Sequence, residues 1–403
     1  MIRRTRHIVG FLGPAFVAAV AYVDPGNFAA NFSAGSKYGY TLLWVLVLAN
    51  VMAGMVQYMS AKVGLVTGKS LPEVIAARLG KKARIAYWLQ AELVAIATDI
   101  AEVIGGALGL YILFGVPLLL GAIITGVVSM LLLLIYQKRD TRVFERVIIG
   151  LLLVIPLGFV VGLFIKPPDT AAMLAGLVPQ LQSTDMVLLA TAMLGATVMP
   201  HVVYLHSALS RDHMRGKIAS RSLAQVLRAT KIDVGLAMVL AGAVNIAMLL
   251  LAASALRGIS GTDSLVATHQ ALHTTISPVV ATLFGVSLLI SGFASTAVGA
   301  QAGAVIMRDM LGRQIPLVWR RAITIIPAII IVAMGIDPTT ALIASQVALS
   351  FGIPFALVAL AAATSSRQIM GEIRNSYTAT VLICVITIAI SILNIALIWL
   401  TFA

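Results

Sequence analysis

The chain is a succession of long apolar runs joined by short basic connections, and no water-soluble fold can be built from such a pattern. Of its 403 residues, 60% are hydrophobic and only 11% charged, whereas a soluble domain carries about 25% charged residues. A hydrocarbon core about 30 Å thick takes roughly 20 apolar residues per helix. Eleven segments meet that length: 8–34, 40–66, 85–111, 117–136, 143–165, 186–210, 231–254, 278–306, 317–335, 339–362 and 376–401. Each is too long and too apolar all round for a barrel strand, which would alternate over about ten residues. The expected fold class is an all-α integral membrane protein with 11 transmembrane helices. A cytosolic enzyme and a disordered protein are excluded, and the single cysteine, Cys384, excludes a disulfide scaffold.

The net charge of +13 does not point to nucleic acid, because of where it lies. Twenty-five of the 28 Lys and Arg residues fall at alternate connections. The exceptions are Lys37, Lys166 and Arg257. The positive-inside rule then places the N-terminus in the cytoplasm, and eleven crossings place the C-terminus outside. Residues 1–21 have the outline of a signal peptide, with Ala19-Val20-Ala21 as a cleavage-like site. The apolar run continues past Ala21, so they are read as part of the first span. The longest polar connections (67–84, 166–185, 211–230 and 255–277) read as loops, and no separate soluble domain is expected. The last span ends near the chain's end, which gives an expectation of no regulatory tail.

Two spans are interrupted by polar residues beside a proline: Ala21-Tyr22-Val23-Asp24-Pro25-Gly26-Asn27 in the first, and Ala196-Thr197-Val198-Met199-Pro200-His201 in the sixth. Proline removes an i→i−4 hydrogen bond and clashes with the preceding turn. A break at bilayer depth persists only where protein or a water-filled cavity surrounds it. Span 1 starts inside and span 6, five crossings later, starts outside. Residues 1–165 and 166–362 can therefore be inverted repeats, with 363–403 carrying an added helix. Paired interruptions of this kind mark the midplane site of a transporter. Asp24 offers an anionic oxygen, Asn27 an amide oxygen, Ala21 and Ala196 carbonyls, and Met199 a thioether. With no lysine or arginine mid-span to neutralise Asp24, a cation is the expected guest. Mixed oxygen and sulfur ligation selects a transition metal over Mg²⁺ or Ca²⁺.

These residues resemble the Nramp family of proton-coupled divalent metal transporters. The resemblance rests on Asp24-Pro25-Gly26-Asn27 with Met199-Pro200-His201. Supporting stretches are Gly13-Pro14-Ala15-Phe16, Leu43-Trp44, Ser60-Ala61-Lys62, Thr98-Asp99-Ile100-Ala101-Glu102 and Ser345-Gln346-Val347. The run from Met199 to Ser207 is similar to the bacterial manganese-transporter branch. The resemblance implies a LeuT-like 5+5 fold with broken helices 1 and 6, and import of Mn²⁺ or Fe²⁺ driven by H⁺. It implies that Asp24, Asn27, Met199 and the carbonyls of Ala21 and Ala196 hold the metal, joined by Gln346 in some conformations. One departure is visible. Gly292-Phe293-Ala294-Ser295…Ala302-Gly303-Ala304 lacks the two glutamines of the family's span-8 signature, which puts a role for that segment in doubt.

Span 3 carries a stripe of Glu92, Asp99 and Glu102; at 100° per residue, Asp99 lies about 20° from Glu92 and Glu102 about 60° from Asp99. Arg320 and Arg321 open span 9 and can reach inward to it. A proton pathway from Asp24 through these groups is one reading, and ion pairs that tie helices together are the other. His201 and His206, five apart, point about 140° away from each other and are not a shared-metal pair. Either can serve protons or packing. Asn50 and Gln57 read as interhelical contacts, and His7, His213, His269 and His273 as solvated.

The expected activity is thus a secondary transporter with divalent metal ions, protons and the bilayer as partners, and no prosthetic group. A symporter of an organic solute such as an amino acid is the alternative on the same fold. It predicts room for a carboxylate substrate and has no need of Met199. A metalloenzyme is disfavoured by the lack of His-Glu-x-x-His.

Overall fold

The computed structural model describes residues 13–138, 150–217, 222–259, 261–262, 264–313 and 315–402. The start of span 1 with its basic residues and His7, the start of span 5 with Arg139, Arg142 and Arg146, and Arg221 lie outside the described residues.

Span 1 is two helices, α1 (Pro14–Ala21) and α2 (Pro25–Tyr38), separated by residues 22–24. Then come α3 (Leu43–Thr67), α4 (Leu71–Ala76), α5 (Lys81–Phe114), α6 (Leu118–Lys138) and α7 (Pro156–Ile165), followed by the short α8 (Thr170–Ala175). Span 6 is again split, into α9 (Thr184–Thr197) and α10 (Pro200–Lys217). The remainder is α11 (Leu223–Ala255), α12 (Leu265–Thr275), α13 (Pro278–Leu311), α14 (Leu317–Ala333), α15 (Pro338–Ser365), α16 (Arg367–Met370) and α17 (Tyr377–Phe402). Among the described residues, 7 helices are long and apolar enough to cross a membrane if the split α9–α10 is taken as one. The broken α1–α2 pair, the shorter apolar stretches 118–131 and 150–165, and α14 occupy the other four expected spans. At 34 residues, α5 and α13 are about 50 Å long and extend beyond the hydrocarbon.

Three connections expected as loops carry helices, and each has a cap. Ser70 and Glu73 form a reciprocal capping box at α4, Asp169 caps α8, and Ser264 caps α12. Side-chain oxygens that satisfy the first free N–H groups of a helix explain why such short segments hold their form. A fourth device anchors α1. The Asp233 carboxylate on α11 accepts from the backbone N–H of Gly13 (3.3 Å) and Ala15 (3.1 Å).

The helices meet through small residues, as expected where lipid supplies no hydrophobic drive for helix association. A Cβ on Gly292 of α13 would lie 2.7 Å from the backbone nitrogen of Gly106 on α5, and one on Gly105 would overlap the ring of Pro25 at the first break. An aromatic cluster (Phe28, Phe32, Phe159 and Phe284, ring centroids 5.0–6.0 Å apart) joins α2, α7 and α13. The loop assignment of several polar residues is corrected. Arg211 is buried rather than displayed in a connection, and Arg320 and Arg321, which open span 9, and Lys62, within span 2, are buried as well. His213 is half-buried, and half-buried His269 packs on Phe284 (6.5 Å).

Close α5–α13 contact predicts that Gly292→Val costs about 1–3 kcal/mol or more through overpacking. Gly235→Ala, in a helix with open space around the added methyl, should be neutral or slightly stabilising. Melting temperatures of the two variants in one detergent check this.

Candidate metal centre

Both helix breaks follow from one rule applied twice. In an unbroken helix the carbonyl of Ala21 would accept from residue 25 and that of Ala196 from residue 200. Both positions are proline and have no N–H to give. The chain leaves the helix at Tyr22 and at Val198, and re-enters it with proline as the first helical residue, where a missing N–H costs nothing.

At the first break Asp24 is the N-cap of α2. Its Oδ1 accepts from the Asn27 N–H (2.8 Å), and Asn27 Oδ1 accepts from the Asp24 N–H (3.2 Å). This reciprocal box fixes both side chains within one turn. Asn27 Nδ2 then donates to the carbonyl of Ala196 (3.3 Å), which ties the first break to the second. Gln346, from α15, donates through Nε2 to Asp24 Oδ2 (3.4 Å) and to Ser345 Oγ (3.2 Å). Its own Oε1 is buried without a hydrogen-bond partner. Gly26 makes this approach possible, because any Cβ there would collide with the Gln346 amide. Asp24, Asn27, Met199, Ala21, Ala196 and Gln346 are each 2% exposed or less. No ion pair among the described residues includes Asp24.

The remaining carbonyls of the first break have partners the sequence did not single out. Asn245 of α11 donates to Tyr22 O (2.7 Å) and accepts from Asn31 (2.8 Å). Ser291 of α13 donates to Val23 O (2.5 Å). Ser291 lies one residue before the span-8 segment whose role was in doubt. A lone Asn inside an apolar span was the available signal for Asn245. The hydroxyl of Ser291 carried none.

The acidic stripe meets its arginines. Glu92 accepts from Arg320 Nη2 (2.5 Å), and Asp99 pairs with Arg321. Glu102 lies 3.3 Å from Arg321 Nη2. Arg321 also donates to Ser129 Oγ (3.0 Å) and Thr296 Oγ1 (3.2 Å), and is fully buried. Gly299 and Gly303 leave the space that the Glu102 carboxylate and the Arg320 guanidinium fill. The two histidines diverge as their spacing requires. His201 Nδ1 meets Thr98 Oγ1 (3.3 Å), while His206 Nδ1 donates to Gln57 Oε1 (2.7 Å). Gln57 in turn donates to the Tyr22 hydroxyl, so His206 connects back to the first break. Asn50 packs against Gly242 of α11.

A family profile described as Natural resistance-associated macrophage protein-like matches residues 15–400. The chain belongs to the Nramp family. It is 55% identical over 390 residues to the divalent metal cation transporter MntH of Mycobacterium tuberculosis, covering 97% of this chain and 91% of that protein. It is 48% identical over 404 residues to the protein of the same name from Bacillus subtilis, covering 100% and 94%. The fold is similar to the Eremococcus coleocola manganese transporter crystallised with an aromatic bis-isothiourea compound. The TM-score is 0.87 at 31% identity, with 96% of this chain and 86% of that chain covered. MhsT, in complex with L-phenylalanine, aligns with a TM-score of 0.67 at 13% identity, over 96% of this chain and 98% of that one, a likeness of fold alone. The all-α class expected from the apolar runs, and the LeuT-like fold that the Nramp resemblance implies, are those of the structure.

Removing one partner of a buried ion pair strands a charge, at a cost of about 3–5 kcal/mol. Arg321→Met should lower stability by that order, and adding Asp99→Asn should recover part of the loss. Denaturant or thermal unfolding of the single and double variants measures the coupling.

Proposed function

We propose that this Nramp protein imports divalent transition-metal ions, Mn²⁺ or Fe²⁺, with protons, by alternating access around the two helix breaks. One observation carries the proposal. A carboxylate, two amides and the carbonyl of Ala196 that Pro200 leaves free meet where the two breaks are joined, all buried, and among the described residues no cationic side chain is bonded to the carboxylate. An ionised carboxylate in such surroundings needs a positive partner. Met199 lies in the second break and is fully buried. In the proposal its sulfur discriminates against the hard ions Mg²⁺ and Ca²⁺. Gln346 rotates its unpartnered Oε1 toward the ion as it arrives, which releases Asp24 Oδ2. Among the described residues no three His, Cys, Asp or Glu side chains gather to hold a metal. A site with one carboxylate and several neutral donors suits cargo that must leave again.

The proton route uses the second network. A divalent cation beside a carboxylate favours its ionised form, so metal entry expels a proton from Asp24. Asp99 and Glu102 receive it, with Arg321, Arg320 and Glu92 adjusting their pairing. His201, against Thr98, and His206, through Gln57, flank the break and buffer it. Residues 1–165 and 166–362 serve as the inverted repeats that rock against each other, and 363–403 as the added helix. The N-terminus is cytoplasmic and the C-terminus extracytoplasmic in the inner membrane. The organic-solute alternative has no observation in its favour, since the neighbours of other classes share fold alone.

The test is Mn²⁺ entry into proteoliposomes under an inward proton gradient. Asp24→Ala should abolish it; normal entry in that variant would remove the site from the proposal. Met199→Ala should retain part of the Mn²⁺ flux but become inhibited by excess Ca²⁺, and unchanged discrimination would show that sulfur is not the filter. With a pH-sensitive dye inside the vesicles, Asp99→Asn should lose more proton flux than metal flux. Equal losses would take Asp99 out of the proton route.

A further inference from the structure

Away from the helix breaks, α4, the start of α5, the second half of α15 and α16 enclose a cavity of about 480 Å³, within the range of about 300–1,000 Å³ typical of ligand pockets. Its walls are carbon. Val74, Ile75 and Leu79 face Phe355, Val358 and Ile369. Tyr87 is the one phenol in the wall, and its hydroxyl is already committed, donating to the Phe355 carbonyl (3.0 Å) and sharing a hydrogen bond with Tyr204 (2.7 Å). Nothing in this lining recognises a polar ligand. Phe355 and Val358 are 50% and 59% exposed, so the cavity opens sideways along a lipid-facing helix.

The mouth has the opposite character. Arg78 lines it, exposed, with its Nη2 only weakly engaged by Ser366 Oγ at 3.5 Å. Lys81, Lys82 and Arg84 follow within two turns, and the buried Nε of Arg84 has no hydrogen-bond partner. The nearby carboxylates do not compensate this charge. Glu73 is paired with Arg211, and Glu372 with Arg367. An apolar slot open to the bilayer, with uncommitted cations at one end, is complementary to one kind of molecule.

We propose that this cavity is a binding site for an anionic phospholipid, with an acyl chain in the slot and the headgroup phosphate on Arg78 and the lysines that open α5. Clusters of Lys and Arg at the membrane surface attract anionic headgroups. The occupant wedges α15 against α4 and α5, two turns along from Gln346. The site is independent of the cargo assigned to the helix breaks, and its test reads lipid rather than transport.

Native mass spectrometry of the full purified chain, exchanged into detergent with equimolar phosphatidylglycerol and phosphatidylcholine, measures the lipid retained. The wild type should keep one phosphatidylglycerol in preference to phosphatidylcholine. Arg78→Gln should weaken that retention about fivefold, the effect of one cation near the surface. Ala362→Trp, which fills the slot from its exposed wall, should abolish it, while Val279→Trp, on a lipid-facing position elsewhere, should not. Excess inorganic phosphate should not displace the lipid. Equal retention of the two lipids overturns the proposal, as does retention unaffected by Ala362→Trp, or displacement by phosphate alone. If Ala362→Trp does not fold, the surface variant Arg78→Gln decides the matter by itself.

Discussion

A helix interrupted inside a bilayer exposes carbonyls that hydrocarbon cannot hydrogen-bond, and each unsatisfied group costs several kcal/mol. The protein around residues 22–24 and 198–199 is organised by that demand. Asn245 reaches in from α11 to Tyr22 O, Ser291 from α13 to Val23 O, and Asn27 from α2 to Ala196 O. These three side chains hold the first break against two long helices and against the second break. Glycine supplies the room: Gly26 admits Gln346, and Gly105 admits Pro25. The Ala196 carbonyl, the Asp24 carboxylate and the Gln346 amide meet at that junction. The break and the candidate site are therefore one structural feature.

Charge is distributed by the same logic of a dry interior. Among the described residues Asp24 is held by neutral groups, its own cap and the Gln346 amide, and has no ion-pair partner. One helix away, Glu92, Asp99 and Glu102 are matched by Arg320 and Arg321, with Ser129 and Thr296 taking further guanidinium donors. Buried ion pairs are poor sources of stability, because desolvation offsets their attraction. In the proposed proton route they serve instead as exchangeable proton and charge positions. The His206–Gln57–Tyr22 chain gives the first break a second polar connection.

What was legible in the sequence was local and periodic. Span positions followed from apolar length, both breaks from Pro25 and Pro200, and the divergence of His201 and His206 from their spacing of five. The meeting of the span-3 stripe with Arg320 and Arg321 followed from charge alone. Partners brought together by tertiary packing were not legible. Asn245 and Ser291 bind backbone atoms more than 200 positions away; a lone Asn in an apolar span is a signal for the first, and nothing marks which atom either of them meets. The helices at 71–76, 170–175 and 265–275 lie in polar connections that read as loops by composition, because their stability comes from capping rather than from apolar length. The Ser70-x-x-Glu73 signal was present and would have found the first of them. Arg211, in a connection by its position, is buried on Glu73 and Asp309, because counting Lys and Arg by position does not register which of them have carboxylates to meet.

The central claim is that a transition-metal ion binds between the two breaks on Asp24, Asn27 and Met199. Crystals soaked in Mn²⁺, measured near the manganese absorption edge, locate the ion directly by its anomalous signal. A single strong peak is expected between the Asp24 carboxylate and the Met199 sulfur, with Asn27 or Gln346 turned toward it, and no such peak in Asp24→Ala crystals. A peak at Asp99 and Glu102 instead, or one that persists when Asp24 is removed, would contradict the assignment.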